Sequence, residues 1–81
     1  MDKQKNPREG RILTQWPLGV PGIIIGFSTQ NPQQLRKLIT LGLMPSVEVK
    51  ILRKNPSWII QTGFTHLVLD EELARCLIVQ D

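Results

Sequence analysis

The chain has 81 residues, of which 41% are hydrophobic and 21% charged, and its formal net charge is +3. This length suits one small domain, and the hydrophobic fraction is too high for a disordered tail. No apolar run approaches the roughly 20 residues that a membrane-spanning helix requires, and the polar start, which contains Pro7, lacks the apolar stretch of a signal peptide.

The chain begins with a segment that has no pattern of buried residues. Residues 1–10 are charged and rich in amides, which predicts a flexible N-terminal tail before a domain over residues 11–81. Prolines and glycines interrupt residues 12–22, which excludes a helix and predicts a folded loop.

The six residues that follow, GIIIGF, are expected to form a central strand. They are short and β-branched, as buried strands usually are. By the two-residue period of a strand, Ile23, Ile25 and Phe27 share one face, which we expect to point into the core. Gly26 weakens this strand and suits a bend where a barrel turns its corner.

Residues 31–42 carry the clearest helix signal in the chain. Asn31 is a good N-cap, and Pro32 suits the first helical position because its missing N–H has no partner there. Gly42 lies where a left-handed residue ends a helix, and Leu43 is expected to fold back over the last turn. The apolar residues that share one helix face are Leu35, Leu38 and Ile39.

The rest of the chain alternates as strands do. Residues 47–52 and 58–62 predict two strands separated by Asn55-Pro56-Ser57, and Gly63 suits a two-residue hairpin that leads into a third. Asp70 is expected to cap a short helical turn over residues 70–75. A last strand covers residues 77–80, with Leu77 and Val79 inward.

These elements define the expected fold class. The pattern is mainly β with one inserted helix, and it predicts a small five-stranded SH3-like β-barrel. Near closure of such a barrel would also protect its edge strands.

The order of the elements, and the residues at their joints, resemble the FeoA family. Gly19 and Gly22 precede the first apolar strand, and the helix ends in Leu41-Gly42-Leu43 before the turn Met44-Pro45 and the strand Val47-Glu48-Val49. The resemblance covers roughly residues 13–80. Two features depart from the family pattern: Ser46 stands where glycine is usual, and the connection at residues 55–57 is short.

The resemblance implies a cytoplasmic, non-enzymatic accessory of ferrous iron transport that contacts the cytoplasmic GTPase portion of a FeoB-type permease. It implies no cofactor, no nucleic acid, and membrane contact only through the permease, while a weak homo-oligomer is left open. Apolar residues beside cations suit an interface of modest size. The predicted contact residues are Arg36, Lys37, Leu41, Leu43, Met44 and Pro45.

Catalytic and metal-binding chemistry has little support in the sequence. The chain has one histidine, one cysteine and no tyrosine, without the spacing of a metal site or a nucleophile with its base. We expect His66 to point outward and Cys76 to lie in or near the core. A single cysteine forms no internal disulfide and fits a reducing compartment. Trp16 and Trp58 are interpreted as core or rim residues.

Two other functions stay open at this point. The same kind of barrel occurs in metal-dependent transcriptional repressors, so the chain could modulate such a repressor, although no helix-turn-helix precedes it. The second is a free-standing RNA-binding barrel, which its cations would favour, although no aromatic residue alternates with them for base stacking. The cations concerned are Arg36, Lys37, Lys50, Arg53 and Lys54.

Overall fold

The computed structural model describes residues 10–81. The predicted flexible tail therefore lies outside the described residues, apart from Gly10. A single-turn 3-10 helix, Leu13–Gln15, follows the first strand. The strands and helices, in chain order, are β1 Arg11–Ile12, β2 Gly22–Phe27, α1 Pro32–Thr40, β3 Glu48–Arg53, β4 Trp58–Thr62, β5 Thr65–Leu69, α2 Glu71–Ala74 and β6 Leu77–Gln80.

The strands form one antiparallel sheet in the order β1-β6-β2-β3-β4-β5. The predicted number of five strands is corrected to six, because residues 11–12 pair with β6 and a two-residue strand is too short to show a period. β1 and β5 stand at opposite ends of this order, so among the described residues the sheet is open rather than a closed barrel. The fold is mainly β with an inserted helix, as predicted.

One hydrophobic core joins the sheet to α1 and α2. Burial of each large aliphatic side chain contributes about 1.5–3 kcal/mol. The alternation predicted for β3 and for β6 is confirmed, since Val49, Ile51, Leu77 and Val79 point inward. The fully enclosed residues are Leu13, Ile24, Leu38, Leu43, Val49, Ile51, Ile60, Leu69, Leu77 and Val79.

The inward face of β2 differs from the prediction. Ile24 is fully buried, whereas Ile25 is 39% exposed. The pairing of β2 with β6 shifts register between Ile24 and Gly26, which is the geometry of a β-bulge. The extra residue reverses the alternation, so Ile24 before the bulge and Phe27 after it both pack on the core. The prediction is therefore right for Phe27 and wrong for Ile25 and for Ile23, which is half-buried and precedes the inward-facing Ile24.

Helix α1 begins and ends as predicted. The Asn31 side chain accepts hydrogen bonds from the amides of Gln33 and Gln34, at 2.9 and 3.4 Å. Gly42 has a φ of 85°. The Leu43 amide donates to the Leu38 carbonyl and the Gly42 amide to the Ile39 carbonyl, both at 2.9 Å, which is a Schellman motif.

Two further local predictions are confirmed. Gly63 has a φ of 59° between the paired residues Thr62 and Thr65, as a two-residue hairpin with glycine at its first central position requires. The Asp70 side chain accepts a hydrogen bond from the Leu73 amide at 2.8 Å and caps α2. The hairpin turn and the helix cap each involve residues no more than four positions apart, so the local sequence determines both features.

Candidate interaction surface

The end of α1 continues into a tight turn over residues 44–47. The Val47 amide donates to the Met44 carbonyl at 3.1 Å, and Ser46 has a φ of 79°. Proline at the second position and a positive φ at the third are the features of a type II turn. The Ser46 amide also donates to the Ile24 carbonyl at 2.7 Å, so the turn is attached to β2.

The left-handed conformation of Ser46 leads to a stability prediction. Replacing Ser46 with glycine should raise the free energy of unfolding by about 1 kcal/mol, because a Cβ at positive φ is strained. Urea unfolding of both proteins measures the difference. The variant Ser46→Ala retains the Cβ and is the control. An equal gain in the alanine variant, or a loss in the glycine variant, would contradict the explanation.

The predicted contact residues do not all reach the surface. Arg36, Lys37 and Pro45 are exposed, Met44 is 41% exposed, and Leu41 is half-buried. Leu43 is fully buried and is removed from the predicted contact set, because the Schellman motif folds it under the helix.

The helical spacing places Ile39 on the same apolar face as Leu38, but Ile39 is 49% exposed. It lies three residues after Arg36, so the two side chains occupy the same side of α1. The exposed residues of this region form what we call the helix-end surface: Arg36, Lys37, Ile39, Met44 and Pro45.

The remaining candidate cations lie on another element. Lys50 and Arg53 belong to β3, opposite Gln61 and Ile59 of β4. The Lys54 ammonium lies 5.6 Å from the centroid of the Trp58 ring, within the range of a cation–π contact. The five predicted cations therefore divide between α1 and the β3 region.

A small polar cluster joins the start of α1 to α2. The Thr29 hydroxyl donates to Gln34 Oε1 at 2.7 Å, and the Cys76 thiol lies 3.5 Å from the same oxygen and 3.2 Å from the Glu72 carbonyl. Burial raises the pKa of the Cys76 thiol, the neighbouring Thr29 side chain partly offsets this rise, and nearby Asp70 adds to it. A thiol kept protonated is a poor nucleophile and metal ligand.

The other side chains that could take part in acid–base or metal chemistry are dispersed. His66 is exposed on β5, as predicted. Across residues 10–81, no three side chains of histidine, cysteine, aspartate or glutamate gather where they could hold a metal ion. No helix in the described part of the chain is long and apolar enough to cross a membrane.

The two tryptophans take structural positions. Trp16 is buried, and its indole Nε1 donates to the Val20 carbonyl at 2.8 Å. Trp58 is half-buried and packs against the core. Both agree with the predicted core or rim role.

Comparison with known proteins gives a family match and several structural neighbours. The model of the FeoA domain matches residues 12–81. A crystal structure of an iron uptake regulatory protein (FeoA) superposes with a TM-score of 0.79 at 22% identity, over 88% of this chain and 95% of that one. The zinc-complexed FeoA of Stenotrophomonas maltophilia is 26% identical with a TM-score of 0.72, over 84% of this chain and 87% of that one.

The Stenotrophomonas protein is described as a prokaryotic SH3 domain protein and as a suggested activating factor of ferrous iron transport. A manganese-dependent transcriptional repressor also superposes, with a TM-score of 0.79 at 19% identity, over 88% of this chain and 41% of that chain. Comparison with curated proteins gives no match. These superpositions establish an SH3-like fold.

Proposed function

The chain belongs to the FeoA domain family, and from this premise we propose that it is a cytoplasmic accessory factor of ferrous iron transport. It acts by contact with the cytoplasmic GTPase portion of a FeoB-type permease rather than by catalysis. The observation that carries the proposal is the family match over residues 12–81. The suggested transport-activating role of the similar Stenotrophomonas protein supports it.

The helix-end surface is the proposed contact. Ile39 and Met44 expose apolar area there, and Arg36 and Lys37 place cations beside it. Helix α1 contains no acidic residue, so the surface is complementary to an acidic patch on a partner. An apolar centre with a charged border is the usual composition of a protein interface.

Replacing Met44 with aspartate tests this contact. The variant should bind the GTPase portion of the permease at least about tenfold more weakly, because a carboxylate would replace apolar contact area beside an acidic partner. Pull-down and calorimetry with that portion, with and without guanine nucleotide, measure the effect. The chain should remain folded, since Met44 is already 41% exposed.

The matched control is Leu52→Asp, because Leu52 has a similar exposure of 37% but lies on β3. This control should bind as the original chain does. Equal weakening of both variants would contradict the proposed position of the contact. If the original chain does not bind with or without nucleotide, the proposed function itself fails.

A second candidate function is modulation of a metal-dependent repressor. The superposition on a manganese-dependent transcriptional repressor favours it, although the chain spans 41% of that protein. A gene for a FeoB-type permease beside the gene for this chain would favour the transport function, whereas a repressor gene there would favour this second one.

A further inference from the structure

Strand β5 has one free edge. It stands last in the strand order and, among the strands that the structure describes, pairs only with β4. The strand at the other end of the sheet, β1, is two residues long, whereas β5 has five. Among the described strands, β5 therefore presents the longer free edge.

The hairpin determines which residues of β5 direct their backbone groups outward. Thr62 and Thr65 close the two-residue turn, so they form a hydrogen-bonded pair. In an antiparallel ladder such pairs alternate with pairs that are not bonded to each other. Leu67 therefore bonds to β4, whereas the amides and carbonyls of His66 and Val68 point to the free edge.

This edge lacks the usual protection against pairing. Proteins protect free edges with charges, prolines or bulges. Residues 65–69 (THLVL) contain no charged residue and no proline, and their pairing with β4 shows no register shift. Val68 is 69% exposed, and Phe64 at the adjoining turn is fully exposed.

We propose that β5 pairs antiparallel with β5 of a second copy of this chain, across a two-fold axis at Leu67. His66 then lies opposite the partner's Val68, and each member of this pair donates one backbone hydrogen bond and accepts one. The symmetry repeats the pair, which gives four hydrogen bonds. Such an interface is closed, because the same edge is used by both copies.

The distribution of charge favours a second copy at this edge. Each chain carries a formal charge of +3, so two copies approach most easily where most of the described cations lie far from the contact. Lys50 and Arg53 lie on β3, two strands from the edge, and the Lys54 ammonium lies over the Trp58 ring of β4, one strand from the edge and beside its Leu69 end. When two copies pair, β3 of one copy lies five strand spacings, about 24 Å, from β3 of the other. Lys50 and Arg53 of the two copies are therefore farther apart than the Debye length at physiological salt.

The size of the edge limits the affinity. Stable dimers bury about 1,200–2,000 Å², and a five-residue strand contributes much less than that. We therefore expect a concentration-dependent dimer with a dissociation constant on the order of 1 mM. Weak pairing leaves most of the protein monomeric at low concentration and available to another partner.

Sedimentation of the full chain from about 10 μM to about 1 mM tests the proposal. The weight-average mass should rise toward that of a dimer. Val68→Lys should weaken association about tenfold, since it places two lysines at the paired edges. Val68→Thr, which is also β-branched but uncharged, should associate as the original chain does. A constant monomer mass, or equal association of Val68→Lys, would overturn the proposal.

Hydrogen exchange of the backbone amides tests the location of the contact. The amides of His66 and Val68 should exchange more slowly as the protein concentration rises, while the amide of Leu67 should not change. Protection of both amides that is independent of concentration would mean that another segment of the same chain covers the edge, and would overturn the proposal.

Mixed disulfides test the register independently. His66→Cys and Val68→Cys, combined at high concentration under mild oxidation, should form a heterodimer, because paired Cα atoms lie about 5.5 Å apart. Either variant alone should form much less dimer, because symmetry places identical residues farther apart. If each variant alone formed as much disulfide-linked dimer as the mixture of the two, the proposed register would be refuted.

Discussion

Replacing Leu43 with alanine is expected to lower the free energy of unfolding by about 3 kcal/mol, because Leu43 is fully buried and truncation leaves a cavity. The backbone of Leu43 also closes the Schellman motif by donating to the Leu38 carbonyl at 2.9 Å. A domain of this size has a total stability of about 4–12 kcal/mol. The substitution therefore removes a large share of it, which urea unfolding measures directly.

The neighbouring variant Met44→Ala is the control for this prediction. Met44 is 41% exposed, so its truncation should change stability by no more than about 0.5 kcal/mol. Comparison of the two variants distinguishes a core residue from a surface contact residue. The sequence alone does not make this distinction, because Leu43 and Met44 are both apolar and adjacent. If Leu43→Ala left stability unchanged but weakened partner binding, Leu43 would be a contact residue and its burial would be contradicted.

The predictions that succeeded depend on local interactions. The cap at Asn31, the stop at Gly42, the hairpin at Gly63 and the cap at Asp70 each involve a side chain or a φ angle that acts within about four residues. Such features are determined by the local sequence. The inserted helix α1 and the two strands joined by the hairpin, β4 and β5, could therefore be located from the sequence without the tertiary structure.

The inward face of β2 depends on pairing with a distant strand. GIIIGF is apolar at nearly every position, so its sequence does not show which residues face the core. The bulge between Ile24 and Gly26 arises where β2 pairs with β6, about fifty residues later in the chain. The same limit applies to the open edge of β5 and to the two-residue strand β1, both of which depend on the order of the whole sheet.

The candidate surface was predicted in part. The sequence located it at the end of α1 and predicted that Leu43 folds back over the helix, but it also included Leu43 among the contact residues, and it placed Ile39 on the apolar helix face although Ile39 is 49% exposed. Helical spacing alone placed Ile39 beside Leu38 and Leu35. Leu43 is buried because the chain leaves the helix at Gly42 and folds back, so that the Leu43 amide donates to the Leu38 carbonyl.

Replacing Gly22 with valine is expected to cost about 2–3 kcal/mol, because the site has no space for a side chain. A Cβ at position 22 would lie 2.9 Å from Trp16 Cε2 and 3.0 Å from Trp16 Nε1. The Trp16 ring is buried, and its Nε1 donates to the Val20 carbonyl at 2.8 Å. The ring therefore cannot move away without weakening that hydrogen bond and the packing around it.

The matched control is Gly26→Val on the same strand, where a Cβ would meet no atom within 4 Å. Valine suits a strand, so this variant should be as stable as the original chain or slightly more so. Thermal unfolding should separate the two variants by roughly 10–20 °C, at about 4–8 °C for each kcal/mol in a domain of this size. Similar stabilities would show that the Trp16 ring adapts. In that case glycine would not be required at position 22, and the loop over residues 12–22 would be less rigid than its buried tryptophan indicates.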